Sequence, residues 1–356
     1  TLQNLGLMDE AVKSYEKAVA CKPDYAEGHN NLGVTLQNLG LMDEAVKSYE
    51  KAVACKPDYA EGHNNLGNIF KELKQLDAAI KSYEKVIAIN PDYPEAHYNL
   101  GNTLRELGQL ETAIKSYEKV IAIKPDYAEV HNNLGNTLND LGQLNAAVKS
   151  YEKALAIKPD YANAYNNLGF TLQELGQYDD AVKSYKKALA IKSDFPEAHN
   201  NLGNTHNDLG KLNVAIKCYE KALAINPDFS DAYYNLSIIK KYTANDPQIT
   251  KMKSLLSDSK LSRSDQIKLC FALAKVNENL NNQDELFKYL HEGNRLRKKE
   301  LNYSFDKQQK IFAIIKEIFN KNPPNIEQSL SFEPSTFKPI FIVGMPRSGS
   351  TLVEQI

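Results

Sequence analysis

The stretch TLQNLGLMDEAVKSYEKAVACKPDYAEGHNNLGN, residues 35–68, decides the fold of this chain. Residues 1–34 have the same sequence except at the last position, where Val34 stands in place of Asn68. The same spacing of 34 residues continues along the chain with more substitutions. Self-similarity at a period of this size is typical of arrays of small repeated units, which are stable only when they stack on one another.

Three kinds of residue mark corresponding positions in the repeats. Proline recurs at Pro23, Pro57, Pro91, Pro125, Pro159 and Pro227, with Ser193 in the remaining slot. A Leu-Gly pair ends at Gly33, Gly67, Gly101, Gly135, Gly169 and Gly203, and a tyrosine recurs at Tyr15, Tyr49, Tyr83, Tyr117, Tyr151, Tyr185 and Tyr219. This order resembles the tetratricopeptide repeat (TPR), a helix–turn–helix unit. The usual Trp near the start of the unit is absent, and His or Tyr stands there, as at His29 and Tyr165.

The apolar residues of one unit predict two amphipathic helices. Leu32, Leu36 and Leu39 lie on one face of a first helix, and Tyr49 and Val53 lie on the facing side of a second. Most units begin with Asp-Tyr-X-Glu, as at residues 58–61 and 126–129, which we interpret as a capping box for the first helix. A Lys-Pro or Asn-Pro pair ends the second helix, because the residue before proline is pushed out of the helical region.

The predicted fold is therefore an all-α TPR superhelical solenoid over residues 1–229. It comprises a partial unit at 1–25 and six full units at 26–229. Residues 230–321 predict degenerate TPR-like helices that cap the solenoid, and residues 322–338 predict a linker. Within the capping region we expect helices at 264–280, 284–301 and 306–320, and Asp246-Pro247 breaks the helix that precedes them.

The first helices carry a repeated asparagine. It occupies one slot in every unit: Asn31, Asn65, Asn99, Asn133, Asn167, Asn201 and Asn235. A carboxamide has two donors and an acceptor, which match the backbone of an extended peptide. The TPR superhelix of O-GlcNAc transferase is similar and uses such a ladder for peptide binding. The stripe that carries these asparagines is acidic and amide-rich rather than apolar, which favours a polar or basic extended segment as the partner. The alternative is that these side chains solvate the groove or bond the neighbouring unit.

The sequence PIFIVGMPRSGSTLVEQI, residues 339–356, predicts a buried strand, a glycine-containing loop and the start of a helix. A nucleotide-hydrolase loop would need Lys where Ser350 stands. The string instead resembles the 5′-phosphosulfate loop of sulfotransferases that use 3′-phosphoadenosine 5′-phosphosulfate (PAPS). The resemblance implies PAPS as cofactor and an α/β P-loop-like domain truncated at residue 356. The residues that would bind PAPS are Arg347, Ser348, Gly349, Ser350 and Thr351, and Arg347 would also be catalytic.

Composition limits the remaining functions. A net charge of −2 provides no basic field for a nucleic-acid partner. Outward lysine pairs such as Lys47 and Lys51 predict a solvated face, because no aromatic residues are interleaved with them and arginine is scarce. No apolar run is long enough to span a membrane. The four cysteines have neither metal-ligand nor CxxC spacing, so we expect no metal and a cytoplasmic location.

Three functions stay open from the sequence alone. We expect an inactive fragment of a TPR-containing sulfotransferase, cut at both ends, whose groove binds a peptide or protein. The alternatives are a TPR scaffold for protein–protein interaction and an O-GlcNAc transferase-like TPR protein.

Overall fold

The computed structural model describes residues 7–302, 309–310, 312–314 and 316–317, and these contain α-helices and turns but no strand. The chain divides into two compact units, residues 1–296 and 297–356. The helices are α1 (Met8–Cys21), α2 (Ala26–Asn38), α3 (Met42–Cys55), α4 (Ala60–Glu72), α5 (Leu76–Ile89), α6 (Pro94–Glu106), α7 (Leu110–Ile123), α8 (Ala128–Asp140), α9 (Leu144–Ile157), α10 (Ala162–Glu174), α11 (Tyr178–Ile191), α12 (Pro196–Asp208), α13 (Leu212–Ile225), α14 (Ser230–Ile239), α15 (Pro247–Leu256), α16 (Arg263–Asn279) and α17 (Gln283–Glu300).

From α2 to α13 the helices form antiparallel pairs, as the repeat predicts. Each first helix (α2, α4, α6, α8, α10, α12) packs against the second helix that follows it and the second helix that precedes it. Successive first helices also contact one another directly, up to α12 and α14. The first helices therefore lie on one side of the stack, and we call the surface that they share the inner face.

A buried tyrosine forms the centre of each pair. The side chains are at most 2% exposed at Tyr49, Tyr83, Tyr117, Tyr151, Tyr185 and Tyr219. Each ring lies against the glycine of the Leu-Gly pair, and a Cβ atom on Gly67 would stand 2.6 Å from Cε1 of Tyr83. Small residues such as Ala45 and Ala52, both fully buried, complete the close approach of the helices.

The predicted capping box is wrong. The residue that precedes α4 is Tyr59 rather than Asp58, and no side chain caps the helix. Asp58 lies one residue too early for its carboxylate to reach the first turn, so Glu61 supplies the negative charge that this end of the helix favours. The predicted end of the second helix is confirmed, because Lys56 before Pro57 is extended, with φ −138° and ψ 91°.

The turn that joins one unit to the next, such as residues 56–59, is stabilised by contacts that the sequence pattern did not reveal. Nζ of Lys56 lies 5.2 Å from the centre of the Tyr59 ring, and the same arrangement recurs in four other units. Where Asn90 replaces the lysine, its Oδ1 accepts the backbone N–H of Asp92 at 3.2 Å. His63, at the usual position of Trp, donates Nε2–H to the carbonyl of Pro57 at 3.0 Å.

Beyond the repeats, one helix was missed. The chain does leave the helical conformation before Asp246-Pro247, but this pair then begins α15, because Asp246 Oδ1 accepts the N–H of Gln248 at 3.0 Å. The helices predicted at 264–280 and 284–301 are present as α16 and α17.

The last repeat is covered by these helices. Tyr219 of α13 and Leu236 of α14 belong to one apolar cluster with Met252 of α15 and Leu273 of α16. All four side chains are at most 2% exposed, so the apolar face at this end of the stack is not left in water.

The predicted helix at 306–320 is described only at residues 309–310, 312–314 and 316–317, which are helical. The linker at 322–338 and the predicted sulfotransferase start at 339–356, with Arg347, Ser348, Gly349, Ser350 and Thr351, lie outside the described residues. Among the described helices, none combines the length and apolar character that a bilayer crossing requires. The same residues contain no group of His, Cys, Asp or Glu side chains suited to hold a metal ion.

Candidate functional site

The seven predicted asparagines lie at equivalent positions on the inner face, one on each first helix and one on α14. We call them the asparagine row: Asn31, Asn65, Asn99, Asn133, Asn167, Asn201 and Asn235. All seven are half-buried, so part of each residue is accessible at the surface.

The Nδ2 group of each member after Asn31 donates a hydrogen bond to the preceding repeat. The bonds are Asn65 to Asn30 Oδ1 (3.0 Å), Asn99 to Asn68 Oδ1 (3.1 Å), Asn133 to Asn102 Oδ1 (2.9 Å), Asn167 to Asn136 Oδ1 (2.9 Å), Asn201 to Asn166 Oδ1 (3.2 Å) and Asn235 to Asn200 Oδ1 (3.0 Å). The row therefore joins neighbouring repeats, which was one of the alternatives for these residues.

The members of the row differ in how much of the amide this bonding uses. Asn133 donates a second bond to the hydroxyl of Tyr98 at 3.0 Å, and Asn167 donates a second bond to Asn132 at 3.1 Å. Both Nδ2 hydrogens of these two asparagines are thus used. Their Oδ1 atoms also accept, at 3.3 Å and 3.4 Å, from the side chain of the preceding residue.

Of the six members that follow Asn31, the other four are open. Asn65, Asn99, Asn201 and Asn235 each spend one Nδ2 hydrogen on the preceding repeat. Within the described residues, their second Nδ2 hydrogen and their Oδ1 atom make no hydrogen bond. A donor and an acceptor on one planar amide are therefore presented on the inner face at each of these positions.

A second set of amides accepts the buried tyrosine hydroxyls. One turn beyond the asparagine row, the Oδ1 atoms of Asn68, Asn102, Asn136 and Asn204 each accept the hydroxyl of the tyrosine in the same unit, at 2.7–2.8 Å. Because a carbonyl oxygen has two lone pairs, Asn68, Asn102 and Asn136 also accept from the next repeat. The sequence pattern does not reveal the bond between these asparagines and the tyrosines.

Where this second asparagine is missing, a glutamine compensates. Val34 and Phe170 occupy its position in two units, and in those two units the next turn carries Gln37 and Gln173. The hydroxyl of Tyr49 donates to Gln37 Oε1 at 2.9 Å, and that of Tyr185 donates to Gln173 Oε1 at 3.3 Å. The paired substitution is visible in the sequence, and only the structure gives its reason.

Acidic side chains border the amides. Gln37 donates to Glu72 at 2.9 Å, Gln173 donates to Asp208 at 2.7 Å, and Arg105 pairs with Asp140 at 2.8 Å. A hydrogen bond from Lys74 lowers the pKa of Glu106 below its ordinary value, so this acid is charged at neutral pH.

A cavity of about 440 Å³ lies among these groups. It is lined by Gln37, Asn65, Asn68, Lys71, Glu72, Lys74, Asn99 and Glu106. The inner face here thus combines open amides with charged groups of both signs, which suits hydrogen bonding to a polar chain.

Comparisons with known protein families agree with the repeat pattern. Models described as TPR repeat match residues 5–40, 42–74, 67–104, 101–140, 135–176 and 172–210. Models described as tetratricopeptide repeat match residues 196–229 and 218–253. The last match reaches α15, beyond the six units counted in the sequence.

Individual proteins are also similar to the chain. An uncharacterized protein of Aquifex aeolicus (strain VF5) is 33% identical over 118 residues, which cover 33% of this chain and 15% of that relative. The crystal structure of the APC/C hetero-tetramer Cut9-Hcn1 has a TM-score of 0.52 at 19% identity, covering 67% of this chain and 47% of that one, and is similar in fold. MamA matches with a TM-score of 0.43 at 29% identity, covering 46% of this chain and 95% of its own.

Proposed function

We propose that this chain, which belongs to the tetratricopeptide repeat family, is a protein-interaction scaffold that holds an extended peptide along the asparagine row. The observation that carries the proposal is the open amide edge at Asn65, Asn99, Asn201 and Asn235. An extended backbone offers C=O and N–H groups that such an edge can pair with, whatever the side chains of the peptide are. The proposal therefore predicts that most of the inner face binds peptides of many different sequences.

The surroundings favour a polar or basic segment over an amphipathic helix. The inner face presents amides and carboxylates such as Glu72 and Asp140. An amphipathic helix would need an apolar groove for its buried face. Acidic nucleic acid would be repelled by the same carboxylates.

Replacing open and saturated members of the row separates peptide binding from repeat joining. We expect the triple variant Asn65→Ala, Asn99→Ala, Asn201→Ala to lose most binding to a fluorescent library of extended polar peptides, measured by polarisation. The matched control is the double variant Asn133→Ala, Asn167→Ala, which also removes inter-repeat bonds but has no free Nδ2 hydrogens to lose. Equal affinity for the library in the triple variant and the native protein, with helicity intact in both, would contradict the proposal.

The PAPS site stays a second proposal, supported by the sequence resemblance of residues 339–356 alone. In it, Arg347 pairs with the sulfate-bridging phosphate, and Ser348, Gly349, Ser350 and Thr351 donate to the 5′-phosphate. Calorimetric titration of the product of the complete gene with 3′-phosphoadenosine 5′-phosphate tests it, because binding should be lost in Arg347→Ala. The absence of binding to the unaltered product would end this proposal and leave the scaffold function untouched.

Two further expectations stay predictions. The O-GlcNAc transferase-like alternative rests on the asparagine row alone. The cytoplasmic location rests on the spacing of the cysteines.

A further inference from the structure

Phe170 is an exposed aromatic residue in the middle of an inner face made of amides. It lies on α10 at the position where four other units have Asn68, Asn102, Asn136 and Asn204. Its side chain is 44% exposed. The fold does not need an apolar side chain there, because those units pack the same buried tyrosine beside an asparagine.

The exchange of asparagine for phenylalanine is accommodated by Gln173. Its Oε1 accepts the hydroxyls of Tyr185 at 3.3 Å and Thr205 at 2.9 Å, and its Nε2 donates to Asp208 at 2.7 Å. The polar groups that the missing asparagine would have served are therefore paired. The phenyl ring is therefore available to contact a binding partner.

The ring is bordered by negative charge. Glu174 follows Phe170 by four residues, so the two side chains are neighbours on the helix surface, and Asp208 is held one repeat further by Gln173. Asp140 on the preceding repeat is paired with Arg105 at 2.8 Å. In contrast, no Lys, Arg or His within the described residues forms an ion pair with Glu174 or Asp208.

A cleft leads to the same ring. A cavity of about 120 Å³ is lined by Phe170 together with Arg105, Asn136, Asn139, Asp140, Tyr151 and Asn167. Its floor is polar, and the adjacent row members Asn167 and Asn133 are saturated, as described above. At this point of the inner face, contacts with a peptide therefore depend on the aromatic ring and the carboxylates instead of an open amide.

We propose that Phe170, Glu174 and Asp208 form a subsite for one arginine side chain of the bound peptide. The inference rests on the proposed function, since it concerns the same peptide. A guanidinium is planar and weakly hydrated, so it stacks on an aromatic face while its N–H groups bond to carboxylates. Two carboxylates that form no ion pair within the described residues, beside an exposed ring, favour arginine over an aliphatic side chain.

The test uses three fluorescent pools of extended peptides, randomised over Ser, Thr, Asn, Gln and Ala, with the central residue fixed as Arg, citrulline or Leu. Citrulline keeps the planar shape of arginine without its charge. We expect the arginine pool to bind the native protein about fivefold to tenfold more tightly than the citrulline pool. The Leu pool should bind no better than citrulline.

The decisive variant is Phe170→Asn combined with Gln173→Asn, which copies the Asn136 and Asn139 pair of the preceding unit and so keeps an acceptor for Tyr185. It should bind the citrulline pool as the native protein does and lose the preference for arginine. An unchanged preference in this variant, or a preference for Leu in the native protein, overturns the arginine subsite while peptide binding itself stands. If no pool binds the native protein, the proposed function fails and the subsite fails with it.

Discussion

The ring of Tyr151 lies against the backbone of Gly135 so closely that a Cβ atom on Gly135 would stand 2.6 Å from Cε1 of the ring. No other residue can therefore occupy this position unless the tyrosine moves. Tyr151 cannot move freely, because its hydroxyl is bonded to Asn136 Oδ1 at 2.8 Å and its side chain is 2% exposed.

Gly135→Ala should consequently destabilise the protein, although alanine is the better helix former. The gain in helix propensity is about 1 kcal/mol, whereas overpacking a close contact costs about 1–3 kcal/mol. Urea denaturation followed by circular dichroism measures the net effect. Combining Gly135→Ala with Tyr151→Leu makes room for the new methyl group, so the two changes should be less than additive. Full additivity would mean that the ring is not the obstacle.

Asn136→Val should leave the hydroxyl of Tyr151 buried without an acceptor and lower the free energy of unfolding by about 1–2 kcal/mol. Adding Asn139→Gln should recover most of this loss, because it recreates the pair found at Val34 and Gln37. Chemical denaturation of both variants is the measurement. If the second substitution does not help, the glutamine is not a substitute acceptor.

Lys240 connects α14 to the segment that leads into α15. It is paired with Asp246 at 2.9 Å, donates to Gln248 Oε1 at 2.9 Å, and its side chain is only 21% exposed. Lys240→Met should therefore cost about 1–3 kcal/mol. The matched control is Lys183→Met, which breaks the exposed pair with Asp180 and should leave the free energy of unfolding almost unchanged. Similar losses from both variants in thermal denaturation would show that the Lys240 network adds nothing.

Alkaline pH should unfold the repeats. Burial raises the pKa of the hydroxyls of Tyr83, Tyr117 and Tyr185 far above the ordinary value, and burial together with Glu61 raises the pKa of Tyr59 to about 12. A raised folded-state pKa means that the neutral form is favoured by folding. The resulting stability is complete below pH 10 and is lost progressively as the pH rises above that value.

Absorbance at the tyrosinate band, recorded together with circular dichroism during the titration, checks this expectation. The buried tyrosines should ionise only as helicity disappears. Their ionisation in a protein of unchanged helicity would show that the hydroxyls are accessible in the folded state.

Periodicity gave the helix pairs with near-residue accuracy, because spacing along the chain reports directly on which faces are apolar. Contacts that depend on a single atom were not predictable in this way. Asp58 has the residue type and the position that a capping box requires, yet the helix begins one residue later, after Tyr59. The helix α15 was missed because Asp246-Pro247 was interpreted only as a breaker, although the same pair suits a helix start.

The sequence predicts which residues form the candidate site, but it does not predict their hydrogen-bond partners. Seven asparagines in one slot identify the surface, but the sequence cannot say whether Nδ2 of Asn99 faces a peptide or Asn68. The distinction between open members such as Asn99 and saturated members such as Asn133 depends on which side chain the preceding repeat offers. That pairing is set across the interface, between residues far apart in the chain.

The hydrogen bond from the Tyr83 hydroxyl to Asn68 Oδ1, 2.8 Å long, also has a consequence for the loss of one repeat by deletion in the gene. Recombination between the two nearly identical copies can delete residues 34–67 or residues 35–68, and the products differ in one codon. The first retains Asn68 beside Tyr83. The second brings Val34 to that place with Lys71, which has no acceptor, on the next turn. A shift of one codon in the crossover point therefore decides whether the shortened protein keeps the hydrogen bond of Tyr83 or buries its hydroxyl without an acceptor.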